Sequence, residues 1–420
     1  MASPTLSEPP WLAARRERAA SLAETLELPS FKGTPGWEFT DLSGLDVDSY
    51  EPASGGDADA IDRAEKLFRP FEGGILLDQV DGVSAVMAEV DAPSEPFVLP
   101  LDVAAERFPE LVEKHLGTVV DSEDPFVARN ERGWTGGVFV YVPRGKRLDA
   151  PALVTAVQEQ SGTSLNWRTL IVLEEGAEAE VWEQYLSADA DTDGLFNTVV
   201  ELVVGANAKL RYVCGQSLSE KSSIFGTQRA VVERDGSLDW VALGFGSARG
   251  KVRMETNLAG EGSHGKDTGA YAGHARQHLD FDTTQEHAAA NTVSDLAFRG
   301  VLSGRSQAVW RGMIKVDPGA QKTDAFQESR NLLLSKRAHA DAIPGLEILA
   351  NDVRCTHAAA IAQIDPEQVF YLMSRGIPRG TATRLVIEGF LAELVERFEE
   401  GPVREQLTEA LLTRLAHVLD

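Results

Sequence analysis

Cysteine and proline are the residues this chain withholds. Only two cysteines occur in 420 residues, Cys214 and Cys355, 141 positions apart (355 minus 214). That is too few for a disulfide framework, so free thiols and a reducing compartment are expected. Of 19 prolines none lies between Pro151 and Pro318, a gap of 166 positions (152 to 317). Proline cannot donate to a ladder, so its absence fits an uninterrupted sheet. Long apolar runs are missing as well: no stretch reaches the roughly 18 residues that a membrane-spanning helix needs. Trp11 to Leu28 has a helical pattern broken by Arg15, Arg16, Glu17 and Arg18, unlike the apolar centre of a signal peptide, so a cytoplasmic protein is expected. Positive charge is scarce: 40 Lys and Arg, only 11 of them lysine, stand against 65 Asp and Glu, for a formal charge of -25. This balance excludes non-specific binding of nucleic acid or of an anionic membrane. It suits a GC-rich genome or a salty cytoplasm.

What fills the proline-free stretch is short apolar runs bounded by Gly, Asn or Asp, such as Leu170–Leu173, Val199–Val204 and Ala230–Val232, which predict strands. They recur. V-L-E-E-G-A-E-A-E-V around Gly176, L-V-V-G-A-N-A-K-L around Gly205 and V-V-E-R-D-G-S-L-D-W around Gly236 each join an apolar run, a glycine turn and an alternating segment, and looser versions follow near Gly262, Gly304 and Gly319. The first three glycines are 29 and 31 residues apart (205 minus 176, 236 minus 205). A repeat of that length built only from short strands predicts a parallel β-helix or another β-solenoid. A sandwich or barrel of regular hairpins is the alternative.

Helices are predicted on both sides of this core. Asp102 reads as the cap of a stretch ending near Gly117, with Val103, Phe108, Leu111, Val112 and Leu116 as its apolar positions and Pro109 kinking or splitting it. Near the other end Asp365 reads as an N-cap, Pro366 as the first helical residue and Gly376 as the terminator. A second helix from about Thr381 would carry Leu385, Val386, Gly389, Phe390, Leu394 and Phe398 on one face, and a third would run from Pro402 toward Leu419. Three parts follow: a helical or mixed region over 1–130, a β core over 131–357 and a helical domain over 358–420. The class is mainly β.

The residues offer one suggestive pair. If Val353 to His357 is extended, the period of two puts the Cys355 thiol and the His357 imidazole on one face. No second C-x-x-C or H-x-x-x-H completes a four-ligand site, and a buried cysteine beside a satisfied histidine remains an alternative. His264, His274, His278 and His287 fall within 24 residues (264 to 287) but at irregular spacing, and read as loop and strand-surface histidines. Asp280 and Asp282 would share a strand face and could serve a carbohydrate-active solenoid enzyme, although solvated side chains are the simpler account in so acidic a protein. There is no G-x-x-x-x-G-K-[ST] and no G-x-S-x-G, so this chain is expected to bind no nucleotide itself and to use no serine nucleophile.

Three ordered blocks add a resemblance. L-L-L-S (Leu332–Ser335), P-G-L-E-I-L-A-N-D-V-R-C-T-H (Pro344–His357) and F-Y-L-M-S-R-G-I (Phe370–Ile377) resemble the L-L-L-S, P-x-L-E-I-x-A-D-D-V-x-C-S-H-G-A-T and F-Y-L-x-S-R-G-I blocks of the SufB/SufD family of iron–sulfur cluster assembly scaffolds. P-E-L-V-E-K-H-L-G (Pro109–Gly117), G-G-V-F-V-Y-V-P-R-G (Gly136–Gly145) and W-E-F-T-D-L (Trp37–Leu42) are similar to upstream segments of the same family. Where SufB carries a cysteine this chain has Ile348, and where SufB reads E-H-E-A-T it has C-T-H-A-A, which is similar to the SufD branch. Ala358 and Ala360 depart from the family's glycine and threonine.

The resemblance implies a right-handed parallel β-helix between helical ends and a non-enzymatic subunit that pairs with SufB and with the ATPase SufC. It implies a nascent iron–sulfur cluster at the SufB interface, with His357 as the interface histidine, Cys355 as its neighbour, and the C-terminal helices as the SufC-docking element. A homodimer is a further possibility where SufB is absent. A stand-alone metal-binding solenoid is the competing reading, and the carbohydrate enzyme a third.

Overall fold

The computed structural model describes residues 8–84 and 92–419. From Gly136 to Gln363 the chain winds as a parallel β-solenoid of about eight turns. Each turn gives one strand to each of two sheets. The first sheet runs from Phe97–Pro100 and Gly136–Val142 to His339–Ile348, and the second from Ile75–Val80 and Ala152–Gln158 to Arg354–Gln363. The hairpin alternative is thereby excluded, because consecutive strands lie in different sheets and all the coil-to-coil pairing is parallel.

The sequence repeat is the register of this ladder. Ser223 pairs with Arg249 and Gln307 with His339, so one turn takes between 26 and 32 residues (249 minus 223, 339 minus 307). Equivalent positions therefore stack through the lumen. One column reads Leu173, Val204, Val232, Leu258, His287, Val316 and Ile348. Burying each Val or Leu contributes about 1.5–3 kcal/mol, and every member from Leu173 through Val316 is buried.

Turn chemistry is split between residues. Gly176, Gly262, Gly304 and Gly319 have φ of 69, 72, 61 and 91°. At the second and third repeats the left-handed position falls on Asn207 and Asp235 instead, both at 56°, two residues that tolerate it. Gly205 serves a close approach: a Cβ there would lie 2.7 Å from the Leu173 carbonyl oxygen.

The flanking helices sharpen the sequence reading and correct parts of it. Pro109 does split its helix, into Leu101–Arg107 and Pro109–His115, but the N-cap is Pro100, and Asp102 lies inside the first turn. Asp365 caps Pro366–Ser374 by accepting the Glu367 N–H at 2.8 Å, and Gly376 follows at φ 87°. Of the face expected for the helix Arg379–Val395 and its end, Leu394 and Phe398 are buried and Phe390 packs beside them, but the rest of the stripe is shifted. Ala382, Ile387, Leu391, Leu394 and Val395 are buried, whereas Leu385 is exposed. Ile387, Leu391, Leu394 and Val395, with Phe398, Leu407, Leu411 and Leu415, pack against Val213, Val241 and Val301 on the outside of the second sheet. An amphipathic count that includes glycine and both flanks of the stripe cannot tell which flank meets the sheet.

The outside of the first sheet is covered by the segment containing Trp37–Thr40. Trp37 stacks on Phe126 with centroids 5.5 Å apart, and the Lys251 ammonium lies 5.2 Å over its ring. Thr40 donates to Asp280 at 2.5 Å and accepts from His278 Nε2 at 3.0 Å, Lys251 donates to Asp280 at 2.9 Å, and Arg311 donates to Glu38 at 2.5 Å. Asp280 is therefore buried and paired, not solvated as its composition suggested. Near the first turns, Glu201 is fully buried and accepts from Arg168 at 2.5 Å and from the Gly117 and Val119 amides at 2.8 and 3.0 Å. This fixes the loop after Pro109–His115 to the sheet.

Some lumen positions are polar. Asp267 is buried with only long contacts, 3.4–3.5 Å to Thr256 and 3.5 Å from Gln285, and burial pushes its carboxyl up to about 7. Because this lies above the unfolded value of about 3.9, the folded chain binds the extra proton between those limits. The group's contribution to stability is fullest below about pH 4 and is lost as pH rises through about 7. Asp267→Asn is expected to abolish that slope and to stabilise the protein at pH 8 by up to ~4 kcal/mol, read by urea unfolding of both proteins at pH 5 and pH 8.

Candidate functional site

The last rung of the second sheet is the strand Arg354–Gln363, and it holds both residues of the suggestive pair. Cys355 pairs with Ala325 and His357 with Gln327, and both of those partners are buried lumen residues. In a parallel ladder in-register side chains point the same way, so Cys355 and His357 belong to the lumen-facing row. They are two residues apart, about 6.6 Å along the strand. Arg354 is anchored to Asp324 on the preceding rung by two hydrogen bonds, which hold this end of the strand in register.

Among the described residues no further strand follows Arg354–Gln363 in the sheet order. Cys355 is consequently half-buried, packed on the cluster of Ile314, Val316, Ala320, Ala325 and Ala350, while His357 is exposed. Burial, and secondarily Asp324, raises the Cys355 thiol above its ordinary value. Beneath His357, the Gln327 amide donates across the lumen to the carbonyls of Gly345 and Gly312 at 3.1 and 3.3 Å. Leu346, Ile348, Leu349 and Ile361 are exposed apolar residues around the same end. Among the described residues no group of three or more His, Cys, Asp or Glu could hold a metal ion. The chain thus presents an imidazole and a thiol, side chains of the types that ligate iron, on one row of this terminal strand.

The other candidates are accounted for structurally. His287 is fully buried, not on a strand surface, and is satisfied by Thr292 at 2.8 Å and Ser294 at 2.9 Å. His278 holds Thr40, and His274 contacts Glu220 at 2.7 Å. Asp280 and Asp282 lie under the Trp37–Thr40 segment against Lys251 and Arg311. A groove of about 730 Å³ along the second sheet is lined by charges that pair with one another, including Arg211 with Glu180 and Asp239. The sequence reading missed the lumen cluster around Glu183, which accepts from Trp167 Nε1 at 2.5 Å, Thr169 at 2.7 Å and Tyr212, and lies beside Cys214. These residues are far apart in sequence and meet only through coil register.

A parallel solenoid with helical ends and a C-x-H rung at its open edge defines a class, and comparison with known proteins agrees with it. Residues 155–390 match the family model described as "SUF system FeS cluster assembly, SufBD core domain", and the chain belongs to that SufB/SufD family of iron–sulfur cluster assembly proteins. Within it, the chain is 33% identical over 414 residues to the iron–sulfur cluster assembly protein SufD of Bacillus subtilis, covering 96% of this chain and 94% of that protein. It is 27% identical to SufBD family proteins of Staphylococcus epidermidis (91% of this chain, 85% of the relative) and Staphylococcus aureus (92% and 85%). No helix among the described residues is long and apolar enough to cross a membrane.

The two thiols should differ sharply in reactivity. Cys214 is buried in the lumen, and desolvation together with Glu183 pushes it up to about 12. Iodoacetamide at pH 8 is expected to alkylate Cys355 at least about tenfold faster than Cys214 in the folded protein, with peptide mass spectrometry following each site. Denaturation should make the two equal.

Proposed function

We propose that this chain is a non-catalytic cytoplasmic scaffold subunit of the SUF system, which pairs with a SufB-type chain and contributes His357 and Cys355 to a nascent iron–sulfur cluster formed at their junction. The observation that carries this reading is the last rung. Two iron-competent side chains share the lumen row of a strand whose outer ladder edge has no partner among the described residues, with exposed apolar residues around it. An unpaired edge is a template for another chain, and that chain would supply the missing ligands. His357 has the stronger claim, because it is exposed where Cys355 is half-buried. The same edge would serve a homodimer where SufB is absent. Iron and sulfide are cargo here, and the cluster is transient.

The helical part after Gln363 would dock the ATPase SufC, with nucleotide bound and hydrolysed there and not by this chain. The three-part division at 1–130, 131–357 and 358–420 is part of this reading, with the strand Arg354–Gln363 carrying the β part six residues past the second boundary. Its support lies in the short helix Pro366–Ser374, which shows Phe370, Tyr371 and Met373 at 71, 58 and 40% exposure next to the open end. The following helices are packed on the solenoid, so a pull on Pro366–Ser374 would be transmitted to the last rung, to which it is joined by two residues, Ile364 and Asp365.

His357→Ala is expected to leave thermal stability unchanged, since the side chain is exposed, while lowering iron and sulfide content of the anaerobically reconstituted complex at least about tenfold. Unchanged iron and sulfide would refute the site assignment. The double variant Phe370→Asp, Tyr371→Asp is expected to abolish co-purification of a SufC-type ATPase with a chain that still folds, and retained co-purification would place that contact elsewhere.

A further inference from the structure

The turns that lead from the second sheet back to the first carry a row of cations. Register fixes the row: Ser223, Arg249, His278, Gln307 and His339 are equivalent strand positions. The residues two places before them are Lys221, Ser247, Arg276, Arg305 and Arg337, with Lys336 beside the last. Lys221, Arg276, Arg305, Lys336 and Arg337 are all exposed, and none of their side chains has an ion pair or hydrogen bond among the described residues. Five rungs spaced about 4.8 Å apart make a row ~19 Å long.

This is unusual for a chain of net charge -25, and the opposite turns show the contrast. There Arg144 pairs with Glu175, Arg234 with Asp235 and Lys322 with Asp352. On the cationic side the carboxylate lining the groove is Glu220, engaged by His274 at 2.7 Å, and the row is bounded toward the N-terminus by the turn carrying the exposed Asp189, Asp191 and Asp193. A groove of about 520 Å³ runs between the rungs and is lined by Arg276, Gln277, Gly304 and Arg305. Aligned charges of one sign along a groove focus the local field even where the whole molecule has the opposite charge.

We propose that this row is a docking surface for an acidic segment of a partner protein. A small anion would engage two neighbouring arginines and leave the rest of the row unused. Nucleic acid and anionic membranes, which extend well beyond the row, would meet the repulsion of the remaining acidic surface. An acidic helix repeats its carboxylates about every 5.4 Å, close to the rung spacing of about 4.8 Å, and can follow the row without leaving it. The site is independent of the Cys355–His357 edge. The row meets the last strand at its far end, where Gln363 donates to the Ser335 carbonyl at 3.3 Å, six residues or ~20 Å from His357.

Binding of a fluorescein-labelled 15-residue poly-L-glutamate to the full chain, followed by anisotropy, tests this. Binding is expected in 50 mM salt and should weaken at least about tenfold in 300 mM salt. It should weaken to a similar extent in the triple variants Arg276→Glu, Arg305→Glu, Arg337→Glu and, more mildly, Arg276→Gln, Arg305→Gln, Arg337→Gln. Replacing the paired Arg144 and Arg234 by Glu should leave it unchanged. No binding in 50 mM salt, equal binding to the triple variants, or tighter binding of inorganic polyphosphate of equal charge would each overturn the proposal. All the variant positions are exposed, so an unchanged thermal melt is the control for folding.

Discussion

Register between successive coils is the constraint on which the rest of this molecule depends. A parallel ladder stacks position on equivalent position, so each lumen column must be apolar or internally satisfied along its whole length. The column from Leu173 to Val316 is apolar except at His287, and there Thr292 and Ser294 accept or donate at both ring nitrogens. A one-residue slip would turn every inward side chain outward. The proline-free interval is the same constraint seen in composition, since a proline in an inner coil would remove a ladder bond. Pro344 is tolerated in the terminal strand, which has a neighbour on one side alone.

Charge is buried only where this frame holds a partner in place. Lys251 and Asp280 are adjacent because register pairs them directly, and Arg168, whose register partner is Val199, reaches Glu201 two residues further along the next rung. Each pair then fastens something that is not part of the ladder: Asp280 holds Thr40, and Glu201 holds the amides of Gly117 and Val119. Desolvating such pairs is costly, and their contribution to net stability is small or negative compared with apolar replacements. Their value is in fixing where the N-terminal segments sit.

The solenoid has no intrinsic stop, and its two ends are treated differently. At the N-terminal end the antiparallel strands Phe97–Pro100 and Val83–Ser84 close the sheets. At the C-terminal end the sheets finish in edges with no partner among the described residues, beside exposed apolar side chains, and there the chain exits into a short helix with an apolar exposed face. The exposure of His357 and that of the apolar residues around it have one physical origin: among the described residues no further coil follows.

Much of this was legible in the sequence. The glycine spacing, the missing prolines and the caps at Asp365 and Gly376 gave the solenoid and the start of the tail, because turns and ladders are set by local chemistry and short-period pattern. The C-x-H spacing placed Cys355 and His357 on one face, because strand alternation is local too. Burial was not legible: Asp280 read as solvated, His287 as a surface residue and Leu385 as packed, since each depends on what another segment places against it. By itself, then, the sequence determined the repeat, the strand faces and the shared face of Cys355 and His357. Only the tertiary structure decided that the pair falls on the last rung, that five distant cations form one row and that Glu183 meets Cys214, because coil register joins residues about 30 positions apart, where local pattern carries no information.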